Sequence, residues 1–387
     1  MKILSITKFR PSALLALALT LAIAPTVYAV GFNKMRHDND GATYTQHNLV
    51  SDGFVPADHL DPNLVNGWGI AFNAFGPAWV GNNGTGTSTL YDGNGNVLPL
   101  VVQIPGPTTP GGGTPTGVVW NGSTNFVISN GAASGPSRFI FATEDGVIAA
   151  WAPNVDHTHA LRVITSAGAV FKGLAISAGG SGQQLYAANF SRATVDVYDS
   201  SFKPVMLPMG AFTDPGIPRG FAPFGIQNIN GDIYVTYAKQ NAVKHDEVDG
   251  PGLGFVDAYT PNGRLIRRVA SRGSLNAPWG LALAPAGFGR FGNTLLVGNF
   301  GDGHINAYDT VYGTLVGSLR DASHRPVQIK GLWGLSFGNG FLNQSVDSLF
   351  FSAGPSAEAH GLYGRLDPSS GYAADADAGA ASFGDGD

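Results

Sequence analysis

Pro278-Trp279-Gly280-Leu281-Ala282-Leu283, followed by Leu295-Leu296-Val297-Gly298-Asn299, decides the fold because the chain repeats it. The leading segment recurs as Asn66-Gly67-Trp68-Gly69-Ile70, Pro115-Thr116-Gly117-Val118, Phe171-Lys172-Gly173-Leu174, Pro223-Phe224-Gly225-Ile226 and Leu332-Trp333-Gly334-Leu335. Its glycines, Gly69, Gly117, Gly173, Gly225, Gly280 and Gly334, are spaced by 48, 56, 52, 55 and 54 residues. A period near fifty made only of short strands is the signature of a β-propeller, one blade per repeat. The prediction is an all-β, six-bladed β-propeller of NHL/SMP-30-like architecture.

A second strand supports this reading. Ala78-Trp79-Val80-Gly81-Asn82, Phe126-Val127-Ile128-Ser129-Asn130 and Leu185-Tyr186-Ala187-Ala188-Asn189 match the pattern ending at Asn299, with looser copies at 233–237 and 349–353. Mostly apolar residues ending on a small one suit a strand buried on both faces between blades. A third strand ends in an aromatic before a turn, as in Leu90-Tyr91-Asp92-Gly93, Val197-Tyr198-Asp199 and Ala307-Tyr308-Asp309, with 141–146 in that role in the second repeat. On this count Glu144-Asp145-Gly146 is a hairpin turn on the face away from the rim. Charged residues make up 13% of the chain, about half the usual share, and glycine reaches 55 residues.

The ends carry separate expectations. Residues 1–29 read as a secretory signal: Lys2, Lys8 and Arg10, an apolar run over 13–24, then Val27-Tyr28-Ala29. That run is too short to span a bilayer. The expected location is secreted or periplasmic, in a bacterium, with cleavage near Ala29. Losing three positive charges takes the formal net charge from −5 to −8, which disfavours nucleic acid and anionic membranes as partners. Zero cysteines exclude disulfides, thiolate nucleophiles and Cys-zinc sites. The propeller is expected over 42–366, with 42–50 supplying the outer strand that the sixth repeat lacks and so removing a free edge. Residues 367–387 are small and acidic and read as a disordered tail.

The motifs "NGWGIAF", "FIFATEDGVIAAW", "LYAANF", "APFGIQNI", "LNAPWGLALAP" and "LLVGNFGDGHINAYD" resemble a family of exported bacterial β-propeller proteins of unassigned function. The likeness runs from about Asn48 to Arg365. Some members end in a Pro-Glu-Pro exosortase sorting signal, which this chain lacks. The resemblance implies the fold and export, and implies no catalytic residues.

Polar residues gather in the loops between second and third strands, the face where propellers usually hold ligands. The fourth repeat offers Lys239, Lys244, His245, Asp246, Glu247 and Asp249; the fifth Asp302 and His304; the sixth Glu358 and His360. Catalytic candidates are His245, Asp302, His304 and His360. Metal candidates are Glu247, Asp302, His304, Glu358 and His360, where His nitrogens with carboxylates suit Zn²⁺ or Mn²⁺ and oxygens alone suit Ca²⁺. Solvated loop residues are the alternative. Lys172, Asn82, Asn189, Tyr237, Lys239 and Asn299 are the ligand-binding candidates. Lys172 stands where other repeats carry Trp, Phe or Thr, and either points into the channel or packs its stem. The repeated Asn either presents amides to a ligand or satisfies the strand exit. Trp68, Trp279 and Trp333 either stack a sugar or pack the core.

Two function classes follow. One is a monomeric binding module that presents its rim loops to a glycan, small molecule or protein. The other is a metal-assisted hydrolase, lactonase or lyase at the channel mouth, by analogy of fold.

Overall fold

The computed structural model describes residues 43–179 and 182–369. Six antiparallel sheets follow one another along the chain, each ordered from the axis outward. Blade 1 is Gly67–Phe72, Ala78–Asn82, Thr87–Tyr91 and Val102–Gln103. Blade 2 is Pro115–Trp120, Phe139–Thr143, Val147–Trp151 and Leu161–Thr165. Blade 3 has only Phe171–Gly179, Gly182–Asn189 and Thr194–Asp199. Blade 4 is Phe221–Ile229, Asp232–Gln240, Phe255–Tyr259 and Leu265–Ser271; blade 5 is Pro278–Leu283, Leu295–Asn299, Ile305–Tyr308 and Leu315–Ser318. Blade 6 joins Leu332–Phe337, Leu349–Ala353 and Leu362–Pro368 to Tyr44–Ser51. The fold is a six-bladed β-propeller.

The closing strand comes from the N-terminal side. Tyr44 to Ser51 pairs antiparallel with Leu362 to Pro368, in register Tyr44↔Pro368 to Ser51↔Leu362 with a bulge at Asn48/Val50. Tyr44, Leu49 and Val50 are buried, and the Tyr44 hydroxyl donates to the Phe288 carbonyl at 2.9 Å, tying the strand to the neighbouring blade. The last strand reaches Pro368, two residues past the expected boundary. The signal reading of 1–29 and most of the tail lie outside the described residues. Among those described, no helix is long and apolar enough to cross a membrane.

The repeat glycines have one physical reason. A Cβ on Gly69 would meet the Thr116 carbonyl at 2.6 Å; on Gly280, that of Trp333 at 2.5 Å; on Gly334, that of Trp68 at 2.5 Å. Gly117, Gly173 and Gly225 face the next blade's backbone in the same way. Six innermost strands pack round the axis only if each presents bare backbone to its neighbour. Further out, second strands such as Ala78–Asn82 and Leu295–Asn299 are buried at every residue, and aromatics such as Tyr91, Tyr186 and Tyr259 fill the widening wedge.

Blade 2 departs from the expected strand count. Val127–Asn130 pairs only with Ala133–Pro136, an exposed hairpin inserted between the first and second strands. The true second strand is Phe139–Thr143, paired with Pro115–Trp120 and buried throughout. Thr143, opposite Pro115, therefore corresponds to Asn82 opposite Gly67, Asn189 opposite Phe171 and Asn299 opposite Pro278. Asn130 has no part in that set. The turn Glu144-Asp145-Gly146 joins second to third strand and so sits on the rim face, not the opposite one.

Candidate functional site at the channel mouth

The residues just before the six glycines are Trp68, Thr116, Lys172, Phe224, Trp279 and Trp333. The four aromatics form one buried cluster that closes the channel. Trp68 stacks on Trp333 at 3.5 Å between ring centroids, and Trp279 meets both edge-on at 5.8 Å. Phe300 covers Trp333 at 4.0 Å. Trp333 Nε1 donates to Asn66 Oδ1 at 3.0 Å, and Trp279 Nε1 to the Lys172 carbonyl at 2.8 Å. Beneath them a cavity of about 40 Å³, lined by four of the repeat glycines (Gly69, Gly117, Gly280 and Gly334) and by Leu281, has room for roughly one water. These tryptophans pack the core, so a ligand on the axis has to sit above them.

Lys172 is the departure in that ring. Its side chain is 2% exposed, with Nζ 5.2 Å from the Trp68 ring centre and 5.9 Å from that of Phe190. The ammonium meets Glu144 Oε1 at 2.5 Å and Asp246 Oδ1 at 3.6 Å. Burial pulls its pKa down, but Glu144, Glu247 and Asp246 outweigh that and raise it above the usual lysine value. Lys172 is a fixed cation at the base of the mouth.

Carboxylates from three blades surround it. Glu144 comes from the blade 2 turn and also accepts from Asn83 Nδ2 at 2.8 Å. Asp246 and Glu247 come from the loop after the second strand of blade 4, where Glu247 pairs with Gln240. Withdrawal from water pushes the Glu247 carboxyl up to about 7, against the pull of Lys172. Burial counts against ionised Asp246 too, but His245 and Lys172 bring its pKa below the ordinary value. Glu358, from blade 6, accepts from Asn66 Nδ2 at 2.7 Å, and burial raises its pKa. Facing one ammonium, four carboxyls give the mouth a negative potential.

One ligand atom each from Glu144, His245 and Asp246 lies within 4.8 Å of the others, the group among the described residues with the spacing to hold a metal ion. His245 Nδ1 sits 2.6 Å from Asp246 Oδ1. Such a mixed nitrogen and oxygen donor set suits Zn²⁺ or Mn²⁺ better than Ca²⁺.

The other candidates are held elsewhere. The three histidines do not meet, since each pairs with its own aspartate: His245 with Asp246, His304 with Asp302 at 3.5 Å, His360 with Asp52 at 2.8 Å. His360 also stacks on Phe54 at 3.9 Å. Asp302 accepts from the His304 backbone N–H at 3.0 Å and from Asn299 Nδ2 at 3.1 Å, which shapes its own turn. Lys239 is exposed on its strand, opposite Phe221. Asn82 donates to Thr87 and Thr89, Asn189 to Asp196 at 2.7 Å, and Asn299 to the Ser274 carbonyl at 2.7 Å. Those amides hold strands together. Tyr237, at the equivalent position in blade 4, instead bonds Tyr259 hydroxyl to hydroxyl at 2.6 Å.

Fold and site together define a six-bladed propeller with an acidic, lysine-centred channel mouth. The chain is 34% identical over 333 residues to Uncharacterized protein R648 of Acanthamoeba polyphaga mimivirus, covering 84% of this chain and 80% of that protein. Identity to Uncharacterized protein L690 of the same virus is also 34% over 333 residues, covering 84% and 86%. The chain belongs to the family of these two viral proteins. No family model matches it. Among solved structures it is similar to a structural genomics protein of unknown function from Bacteroides thetaiotaomicron VPI-5482 (TM-score 0.52, 11% identity, 84% of this chain and 76% of that one). It is also similar to a glucose dehydrogenase (TM-score 0.50, 12% identity, 84% and 99%). At such identities these likenesses bear on the fold alone. The viral relatives overturn two expectations: the resemblance to exported bacterial proteins, and with it the secreted or periplasmic bacterial location.

Proposed function

We propose that this propeller is a ligand-binding protein whose working site is the channel mouth, and that the mouth takes up a divalent metal ion. The observation that carries this reading is the convergence of Glu144, His245 and Asp246 within 4.8 Å at the edge of an acidic bowl. Metal entry requires Glu144 to exchange the Lys172 ammonium on Oε1 or the Asn83 amide on Oε2 for the ion. The open positions of the ion would then bind oxygens of a glycan, small molecule or protein ligand.

Isothermal titration with ZnCl₂ and MnCl₂, together with elemental analysis after dialysis, tests the reading. One site per chain is expected, weakened at least about tenfold by Asp246→Asn or Glu144→Gln and unchanged by His304→Ala. Absence of any binding, or equal affinity in Asp246→Asn, sinks it.

A second reading, metal-assisted hydrolysis or elimination, draws on one further observation. Glu247, with a carboxyl near 7, is able to give and take a proton at neutral pH, as a general acid–base group must. Turnover of ester or lactone substrates by the metal-loaded protein, lost in Glu247→Gln, is the result that would favour it.

A further inference from the structure

We propose that a second ligand site lies between blades 3 and 4, in a cavity that takes a small aromatic carboxylate. Blade 3 has no fourth strand; in its place residues 200–220 run as an irregular connection into blade 4. The later part of that connection walls a cavity of about 300 Å³ on the rim face, near the small end of the range for small-molecule sites.

The lining is sorted by chemistry. Phe212, Ile217 and Phe221 supply apolar walls, two of them flat rings that suit a planar ligand. Tyr237 and Asp214 supply polar groups, and Arg219 and Lys244 stand exposed at the edge. Neither cation makes an ion pair among the described residues. Both are therefore free to meet an anion, as charges engaged with protein carboxylates are not. Asp214 is already neutralised by an ion pair with Arg268, so it does not repel a carboxylate.

Behind the wall the polar groups are linked. Tyr237 and Tyr259 share a hydroxyl contact at 2.6 Å, and Tyr259 donates to Asp257 Oδ2 at 3.0 Å. Arg268 lies between Asp214 and Asp257, its Nε 3.5 Å from Asp257 Oδ1. Asp257 is fully buried, and its Oδ1 is held by Arg268 Nε in an ion pair longer than a normal hydrogen bond. A packing gap would be lined by apolar atoms; this one is backed by five linked polar side chains.

Ligand-observed saturation-transfer NMR on the full chain tests the proposal, with benzoate, phenylacetate and indole-3-acetate as probes and phenylacetamide as neutral control. At least one carboxylate is expected to bind with a Kd below about 5 mM. The double variant Arg219→Ala/Lys244→Ala, altered only at exposed positions, should weaken it at least about tenfold while leaving the amide signal unchanged. Ile217→Trp, which fills the cavity, should abolish saturation transfer while thermal unfolding remains cooperative. Asp246→Asn should bind the carboxylates as the parent does, which separates this site from the mouth. The proposal is overturned if no probe binds, if the amide binds as well as the acids, if Ile217→Trp leaves binding intact, or if Asp246→Asn removes it.

Discussion

The six glycines around the axis and the six residues just before them are neighbours in sequence and opposites in kind. At the glycine level all blades are alike, because each faces the next blade's backbone and any side chain would push the blades apart. One residue earlier the blades differ: Trp, Thr, Lys, Phe, Trp, Trp. Equivalence marks what the ring needs to close. Departure marks where side chains are free to do something else, and the sharpest departure, Lys172, lies at the base of the charged mouth.

Breaking the symmetric half should have the largest effect. In Gly225→Ala the new methyl would overlap the Trp279 carbonyl, which is backbone and has nowhere to swing. A loss of at least about 4 kcal/mol is expected, at the extreme of single substitutions. Gly112→Ala is the contrast: open space surrounds it, and only its positive φ of 72° opposes the change, at about 1 kcal/mol. Urea unfolding compares the two. Gly225→Ala within 1 kcal/mol of the parent would mean that the blades can slide apart, and the packing account of the repeat would fail.

How much of this was legible follows the same division. The glycine repeat, the strand count of blades 1, 4, 5 and 6 and the N-terminal closing strand can be read from sequence because each rests on local pattern and period, whereas blade 3 lacks the expected fourth strand. The mouth can be read only in part. Lys172 stands out against its equivalents, and the fourth-repeat loop stands out in a chain poor in charge. Glu144 was hidden by the inserted hairpin at Val127–Asn130, whose Val-Ile-Ser-Asn imitates a second strand and displaces the count by one. Burial would have separated them, since Val127 is 53% exposed while Phe139 to Thr143 is wholly buried, but sequence does not report burial. Nor does it report which histidine meets which carboxylate across blades, so a three-histidine site looked as available as the Glu144–His245–Asp246 group.

Breaking the departing half should have a smaller effect, and a coupled one. Lys172→Met leaves Glu144, only 13% exposed, without its ammonium, although Asp246 at 57% stays solvated. Removing one partner of a buried pair costs about 3–5 kcal/mol, and partial exposure here argues for the lower end or less. In a Glu144→Gln background the same change should cost far less, so a double-mutant cycle by urea unfolding should give a coupling above about 1 kcal/mol. Lys172→Met should also tighten divalent metal binding by removing the competing ammonium. Additive single effects would mean that Lys172 acts through packing on Trp68 rather than through charge.

The last effect, small per pH unit, probes another departure, in the third strands. Thr89, Ala149, Asp196, Asp257, Asn306 and Gly364 occupy equivalent positions, each opposite the residue two before the end of the second-strand pattern. In blades 1 and 3 the repeated Asn bonds the polar residue there; in blade 4 the pair is replaced by Tyr237, Tyr259 and a fully buried Asp257. Burial, then the charge of Asp214, push the Asp257 carboxyl up to about 7, with Tyr259 and Arg268 pulling the other way. Unfolded, that carboxyl titrates near about 4. Between those values the native chain holds the proton more tightly, so this group's stabilising contribution is whole below about pH 4, falls as pH rises, and is gone once pH passes about 7, with a slope of at most about 1.4 kcal/mol per unit. Asp257→Asn keeps the shape and removes the titration. Urea unfolding at several pH values should therefore give parent and variant curves that diverge across this window and run parallel outside it. Curves parallel throughout would mean that Arg268 holds Asp257 ionised, leaving blade 4 with an ion pair where blades 1 and 3 use an amide.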